Sequence, residues 1–376
     1  MTIIKLAGFY THEEMKGCIE MKKALALALS LAMAVSLFAG CGSKDEPAPA
    51  PAPAPSTSAP ATSTPAEPAQ PDPITLTLST TATMEEHHGG CWETLKAYVE
   101  EKCPWITLEM YYSSTLYDDS TILDAIMRGN CDLGITSPGY IGEYAPELAI
   151  FGACYLFDNA EQMLTILNGE VGAKLYDQVA ESTGIRLLGA VYKGRRTINL
   201  RMDKEIKSRE DMKGILMRVP NAQSWMDMGY ALGCEPTAMA LSEVYLALQA
   251  GTVDGQDNPL QATMIYGFGE VTKSITMSNH VIDLVWLCIA EDVWQSFDDE
   301  TKAVFQEGFE ISANECKEAY MGEEADLIAQ FREMGLSVYE PDMSQMKEEV
   351  WEFYWANPQI SGNWDKEVYD AVMAAA

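Results

Sequence analysis

The chain has 376 residues, with 25 lysines and arginines against 56 aspartates and glutamates, for a formal net charge of −31. Such a polyanion is excluded as a nucleic-acid binder, because phosphate recognition needs clustered basic side chains. The length, with 47% hydrophobic and 9% aromatic residues, accommodates two domains around sizeable cores.

From Met21 the chain reads MKKALALALSLAMAVSLFAGCGS. Two lysines, an apolar run that is a little short for a membrane span, and small residues before Cys41 make a secretory signal. FAGC resembles a bacterial lipobox, in which the cysteine is lipidated and becomes the mature N-terminus. Residues 1–20 then read as a mis-assigned start upstream of the true one at Met21, 21–40 as a lipoprotein signal peptide, and 41–73 as lipidated Cys41 plus a tether. The Pro/Ala/Ser/Thr run from Lys44 to Pro73 cannot bury a core and reads as extended, with polyproline II character. A lipid, a tether and a domain imply work outside the membrane, on the outer face of the cell membrane or in a periplasm. Beyond Cys18 and Cys41 there are seven cysteines and no C-x-x-C. An odd count without that spacing predicts buried thiols, neither a zinc site nor a full disulfide framework.

The folded part begins near Ile74. ITLTLST alternates as a half-buried strand. EEHHGGCWETLKAYVEEKC is predicted as a helix with Trp92, Leu95 and Val99 on one face, WITLEMYY as a strand, and DDSTILDAIMRGN as a helix with Asp118 or Asp119 near its start and Gly129 past its end. CDLGIT is the next strand, and the alternation predicts a parallel or mixed α/β sheet. A second series opens with IRLLGAVY and GILMRVP. It continues through a helix Ala222–Leu232 (Asn221 as N-cap, Gly233 past its end), CEPTAMA, a helix in LSEVYLALQAG (Ser242 as N-cap) and a strand-like VDGQDN. ILDAIMRGNCDLGI and VYLALQAGTVDGQD share a short helix–Gly–x–x–Asp–turn pattern, which suggests two lobes built alike. HVIDLVWLCIAE is an apolar strand long enough to cross between lobes. The following stretch, DDETKAVF to FREMG, has no proline over more than thirty residues and reads as one very long helix or two abutting ones. Packing across both lobes would explain its length.

The run from Tyr192 to Pro259 contains RVPN, SEVYLALQ and VDGQDNP, and MSNHV follows it. Together these resemble the substrate-binding proteins of tripartite ATP-independent periplasmic (TRAP) transporters of the DctP family, nearest their sialic-acid and sugar-acid branch, over residues 74–376. The resemblance implies a two-lobed periplasmic-binding-protein-like (type II) α/β fold, with hinge strands and a long lobe-spanning helix. Lobe 1 is expected in 74–193 and 284–323, lobe 2 in 194–283 and 324–376. It implies closure on one small organic anion and delivery to a small and a large membrane subunit driven by a sodium gradient. Arg218 matches the arginine that grips the ligand carboxylate and Arg196 a second one nearby, with Arg195 competing for that role. Asn258 matches a ligand-bonding asparagine; Asp257 and His280 match groups that support the main arginine from behind. Ser137 and Tyr140 stand where the sialic-acid receptors have Glu and Arg, and Leu241 where they have an aromatic residue. The first-lobe wall therefore differs, and sialic acid is disfavoured while the carboxylate anchor is kept.

The residues alone supply the chemistry. A guanidinium in an apolar strand costs several kcal/mol unless paired, and a ligand carboxylate can engage both arms of its fork. Lys193, Arg195, Arg196 and Arg201 form a basic island, of which only Arg196 is expected to serve the ligand. His87 and His88 begin a helix that, in the fold the resemblance implies, points into the cleft, and either could reach the ligand; Ser137, Tyr140 and Asp119 are further first-lobe candidates. Trp225, Trp286, Tyr245 and Phe268 read as core. No metal or cofactor is expected, and the receptor is expected to be monomeric. No G-x-S-x-G, H-E-x-x-H or P-loop is present, which disfavours an extracytoplasmic enzyme. A sensory receptor for a membrane kinase, the receptor of an ATP-driven transporter and a C4-dicarboxylate receptor of the same family remain alternatives. The diacid would need a second cation in the first lobe.

Overall fold

The computed structural model describes residues 71–364 and 366–374. The readings for residues 1–70, including lipidation at Cys41, lie outside them. Ten strands are present: β1 (Ile74–Ser79), β2 (Ile106–Tyr111), β3 (Leu133–Thr136), β4 (Ile185–Leu200), β5 (Leu216–Val219), β6 (Glu235–Ala238), β7 (Gly255–Pro259), β8 (Ser274–Thr276), β9 (Ile282–Ala290) and β10 (Ser337–Tyr339). They follow the order β2-β1-β3-β9-β4-β7-β5-β6, with β8 pairing both β4 and β10. The sheet is mixed: β1 runs parallel to β2 and β3, while β9 is antiparallel to β3 and β4.

Helices cover the faces: α1 (His87–Lys102), α2 (Ile122–Met127), α3 (Pro138–Ile141), α4 (Ala160–Leu167), α5 (Glu170–Thr183), α6 (Gln223–Leu232), α7 (Val244–Ala250), α8 (Leu260–Ile265), α9 (Asp299–Glu333), α10 (Ser344–Ala356) and α11 (Lys366–Ala374). Two main cores result. One gathers β1–β3, β9 and the first part of β4 with Trp92, Leu95, Trp286, Phe305 and Phe309. The other gathers Ile198, Leu200, Met217, Val219, Trp225 and Tyr354. The two-lobed α/β architecture read from the sequence is therefore present. All seven cysteines among the described residues are buried and unpaired.

The element that joins the lobes is β4. Ile185 to Arg195 pair with β9, and Arg196 to Leu200 pair with β7. The sequence reading gave that crossing to β9. The stretch His280–Glu291 does cross, with Val281 buried in the second core and β9 itself in the first, and the sixteen-residue β4 spans the same junction. The long helix is real: α9 runs for 35 residues, about 52 Å at 1.5 Å per residue. It buries Phe305, Phe309 and Cys316 in the first lobe, and Leu327 and Phe331 in a satellite core beside Leu260 and Ile275.

Three boundaries move. α6 begins at Gln223 because Ala222 N–H bonds to the Pro220 carbonyl at 3.0 Å, so a tight turn holds Asn221 outside the cap. Ser242 does not cap α7 either. A 3₁₀ turn, Leu241–Glu243, precedes the helix, and the Glu243 carboxylate reaches back to Ala240 N–H at 3.3 Å. The C-terminal helix α11, expected in the second lobe, buries Val368 and Val372 in the first core.

Candidate functional site

Where β4, β5, β7 and β9 meet, a cavity of about 50 Å³ is walled by Lys193, Arg196, Arg218, Trp225, Asn258 and Asp283 from the strands and α6, and by Thr81, His88, Asp119, Thr136, Ser137 and Tyr140 from the first lobe. It shares Thr81, Asp119, Tyr140, Arg218 and Leu241 with an outer cleft of about 430 Å³. The lobes touch beside this cleft. Tyr266 Oη donates to Glu86 Oε2 at 2.8 Å, and His87 N–H donates to Gln261 Oε1 at 3.1 Å. Ser224 Oγ donates to the Gly139 carbonyl at 3.3 Å.

Arg218 is 3% exposed. Its Nε and Nη2 both donate to the Met239 carbonyl, at 3.0 and 2.8 Å. Among the described residues it pairs with no carboxylate, and Nη1 has no protein acceptor. Burial lowers its pKa from 12.5 to about 10, against the pull of Asp257. It therefore stays charged at neutral pH, as a buried cation short of an anion.

Arg196 is placed differently. Its Nε donates to Asp257 Oδ2 at 2.6 Å, Nη1 to Asp283 Oδ2 at 2.8 Å, and Nη2 to the Asp257 carbonyl at 2.6 Å. Its guanidinium lies 4.6 Å from the centre of a Trp225 ring. Burial would lower its pKa, but Asp257 and Asp283 outweigh burial and raise it. For Asp257 burial acts upward, yet Arg196 and His280 hold the carboxyl well below its usual range. His280 Nε2 lies 3.3 Å from Asp257 Oδ2, and its Nδ1 lies 2.8 Å from Ser278 Oγ. Asp257 thus backs Arg196 directly, with His280 behind Asp257; both were expected to back Arg218, on which Asp257 acts only at longer range. Arg195 turns out of the cavity and pairs with Glu324 on α9, so Arg196 is the arginine of that pair on the cavity wall.

The remaining candidates sort by geometry. Asn258 is buried on the wall, its Nδ2 donating to Gln256 Oε1 at 2.6 Å. His88 lies on the wall with Nδ1 2.7 Å from Tyr320 Oη, and burial, then Lys193, hold its pKa well below 6.5. His87 faces away and meets Glu323 at 2.6 Å. Ser137 Oγ is buried without a hydrogen-bond partner, as are Thr136 Oγ1 and Trp225 Nε1 on the same wall. Buried polar groups are normally satisfied, so three orphans in one cavity leave room for a polar guest. Asp119 accepts from Thr81 Oγ1 at 2.9 Å, and burial raises its pKa. Tyr140 lines both cavities.

Sequence reasoning missed Lys193, Asp283, Thr81 and Thr136 as wall residues, and placed Trp225 only in the core. Asp283 gave a signal, a lone carboxylate inside the apolar run VIDLVWLCIA. A buried acid there demands a cation. Lys193 stood only in the basic island of the sequence reading, because a local backbone irregularity decides where it points.

Comparison with known proteins follows the same lines. The model of bacterial extracellular solute-binding protein, family 7 (DctP) matches residues 78–357. Over 249 residues the chain is 29% identical to the sialic acid-binding periplasmic protein SiaP of Vibrio cholerae, covering 66% of this chain and 77% of that one. It is 33% identical over 202 residues to a solute-binding protein of Roseobacter denitrificans, covering 54% of this chain and 61% of its relative. Among solved structures, a TRAP periplasmic solute binding protein from Roseobacter denitrificans with bound 3-deoxy-D-manno-oct-2-ulosonic acid superposes with a TM-score of 0.78 at 30% identity, covering 81% of this chain and 100% of that chain. One from Polaromonas, bound to D-erythronate, gives 0.72 at 25% identity over 80% of this chain and 97% of the other.

Proposed function

The chain belongs to the DctP family of TRAP solute-binding proteins, and on that premise we propose that it is an extracytoplasmic receptor for a small, sugar-acid-like carboxylate. It captures the acid between its lobes and hands it to a sodium-coupled pair of membrane subunits, one small and one large. The observation that carries this reading is Arg218: a buried guanidinium with no carboxylate partner and a free Nη1, on a cavity with orphan donors. A ligand carboxylate would complete its fork. The attraction is strongest when the lobes exclude water, so the ligand favours the closed arrangement by its differential affinity.

In this reading Arg196 holds the shape of the floor. Its charge is already met by Asp257 and Asp283, so its part toward the ligand is to orient Trp225 and Asn258 and to present a rigid positive wall. Ser137, Tyr140, His88 and Asn258 bond the polar remainder of the acid. The relatives support the ligand class: the two structures named above hold an ulosonic acid and an aldonate, each a carboxylate with several hydroxyls. The receptor works as a monomer, and Cys41 with its tether holds it at the membrane. No helix among the described residues is long and apolar enough to cross a membrane, which is compatible with attachment through a lipid.

The test is thermal unfolding of the purified protein against a panel of aldonates, uronates, ulosonates and C4-dicarboxylates, with Arg218→Gln alongside. A ligand at about a thousand times its Kd adds about 4 kcal/mol of stability. One sugar acid should raise the wild-type midpoint by several degrees and leave the variant unmoved. An equal shift in both proteins removes Arg218 from the site.

A further inference from the structure

The geometry points to Lys193, opposed by Asp119, as a specificity element that takes a hydroxyl group of the ligand and turns away a second carboxylate. This rests on the carboxylate-receptor reading and adds which acids the site accepts.

Lys193 reaches the cavity through a backbone irregularity. In a regular strand, residues three apart face opposite sides, so Lys193 and Arg196 should not share a wall. The β4–β9 register shifts between Tyr192, opposite Leu284, and Gly194, opposite Asp283. The extra residue at that β-bulge is Lys193. Gly194 makes the bulge possible: its φ is +104°, and a Cβ there would stand 2.9 Å from Pro259 Cβ. Bulges re-aim side chains in this way, and both Lys193 and Arg196 line the cavity as a result.

The half-buried ammonium has no hydrogen bond or ion pair with any described residue. Asp119 lines the same cavity, and of its carboxylate oxygens Oδ1 accepts from Thr81 Oγ1. No direct ion pair joins Lys193 and Asp119, yet Lys193 is the charged group that acts most strongly on Asp119. A donor and an acceptor that face one cavity without meeting leave a gap, and an alcohol fills it. The alcohol's O–H donates to Asp119 and its lone pairs accept from Lys193. A carboxylate cannot do both, because it has no proton to give and would repel Asp119.

The charges on the wall agree. Lys193, Arg196 and Arg218 line the cavity against Asp119 and Asp283, so the lining carries one positive charge in excess before any ligand enters. One carboxylate at Arg218 offsets that charge; a diacid leaves one negative charge uncompensated. The site is therefore matched to a monocarboxylic polyhydroxy acid.

Matched pairs of probes isolate this element. Gluconate and glucarate differ only at C6, where a primary alcohol replaces a carboxylate; galactonate and galactarate differ in the same way. Calorimetric Kd values for the purified protein should favour the aldonate of a bound pair by at least about tenfold, since like charges held together oppose binding. Asp119→Asn should shrink or invert that ratio by improving aldarate binding, a gain that simple structural damage would not give. Lys193→Met should weaken the aldonate without improving the aldarate, with the unliganded unfolding midpoint reporting that the variant is folded. If wild type binds the aldarate as tightly as the aldonate and Arg218→Gln abolishes both, the receptor reading stands and this one falls. An unchanged ratio in Asp119→Asn also overturns it. If wild type binds none of the four acids, the sugar-acid reading falls and takes this inference with it.

Discussion

A buried cation with no anion is a stability cost that the molecule keeps. Replacing Arg218 with Met removes the unpaired charge and keeps the length of the stem. The unliganded variant should unfold at a higher temperature than wild type while losing its response to any acid, the exchange expected where a site is held in a costly state. A lower unliganded midpoint would mean that the bonds to Met239 outweigh the desolvation. Asp257 behaves in the opposite sense. Asp257→Asn leaves Arg196 with only Asp283, and urea unfolding should show a loss of about 3–5 kcal/mol, the range for breaking a buried pair from one side. Its pH dependence follows from the depressed folded pKa. The stabilisation is complete above the ordinary carboxylate value of about 4 and is lost as pH falls further. Wild type should weaken below about pH 4, and Asp257→Asn should show a shallower acid limb. Arg218 was legible in the sequence because a lone arginine in ILMRVP has no nearby acid. Its separation from Asp257 and His280 was not, since which arginine an acid meets depends on the pairing of β4 with β7, residues some sixty positions apart in the chain.

At the scale of elements, the hydrophobic patterns carried the strands and helices, and the errors fell where backbone geometry alone decides. The two misplaced caps lie after Pro220 and after Ala240, where a tight turn and a 3₁₀ turn take up the first backbone donors. The bulge at Lys193 is of the same kind: it changes which face a side chain uses without changing the apolar pattern. Gly194→Ala forces a side chain onto a left-handed backbone against Pro259. It should cost about 1–3 kcal/mol and weaken ligand binding beyond the cost to stability, because it disturbs both Lys193 and Arg196; calorimetry and unfolding on one preparation separate the two effects. In α9, Gly322 is exposed, and a Cβ there meets nothing within 4 Å. Gly322→Ala should add about 0.5–1 kcal/mol, measurable as a shift in the urea midpoint.

For the whole molecule, the lobes are joined by several crossing segments, β4 and α9 among them, and by a few hydrogen bonds beside the cleft. Tyr266→Phe deletes the bond to Glu86 that joins the lobes. It should speed ligand release several-fold in stopped-flow traces with little change in the association rate, because a contact made only when the lobes meet acts on the bound state. Equal changes in both rates would show that the bond does not report closure.

The return of α11 to the first core has a consequence for how the chain reaches its native form. The first lobe needs β1 near residue 74, β9 near residue 285 and Val372, so its core cannot be completed until α11 has been delivered. β5, β6 and β7 of the second lobe lie within about 45 consecutive residues, and near pairings form faster than distant ones. The second lobe should therefore organise early and the first lobe late. Pulsed hydrogen exchange during refolding would show β5 and β7 amides protected before those of β1 and β3. A first lobe that waits for α11 stays incomplete while the second is already forming.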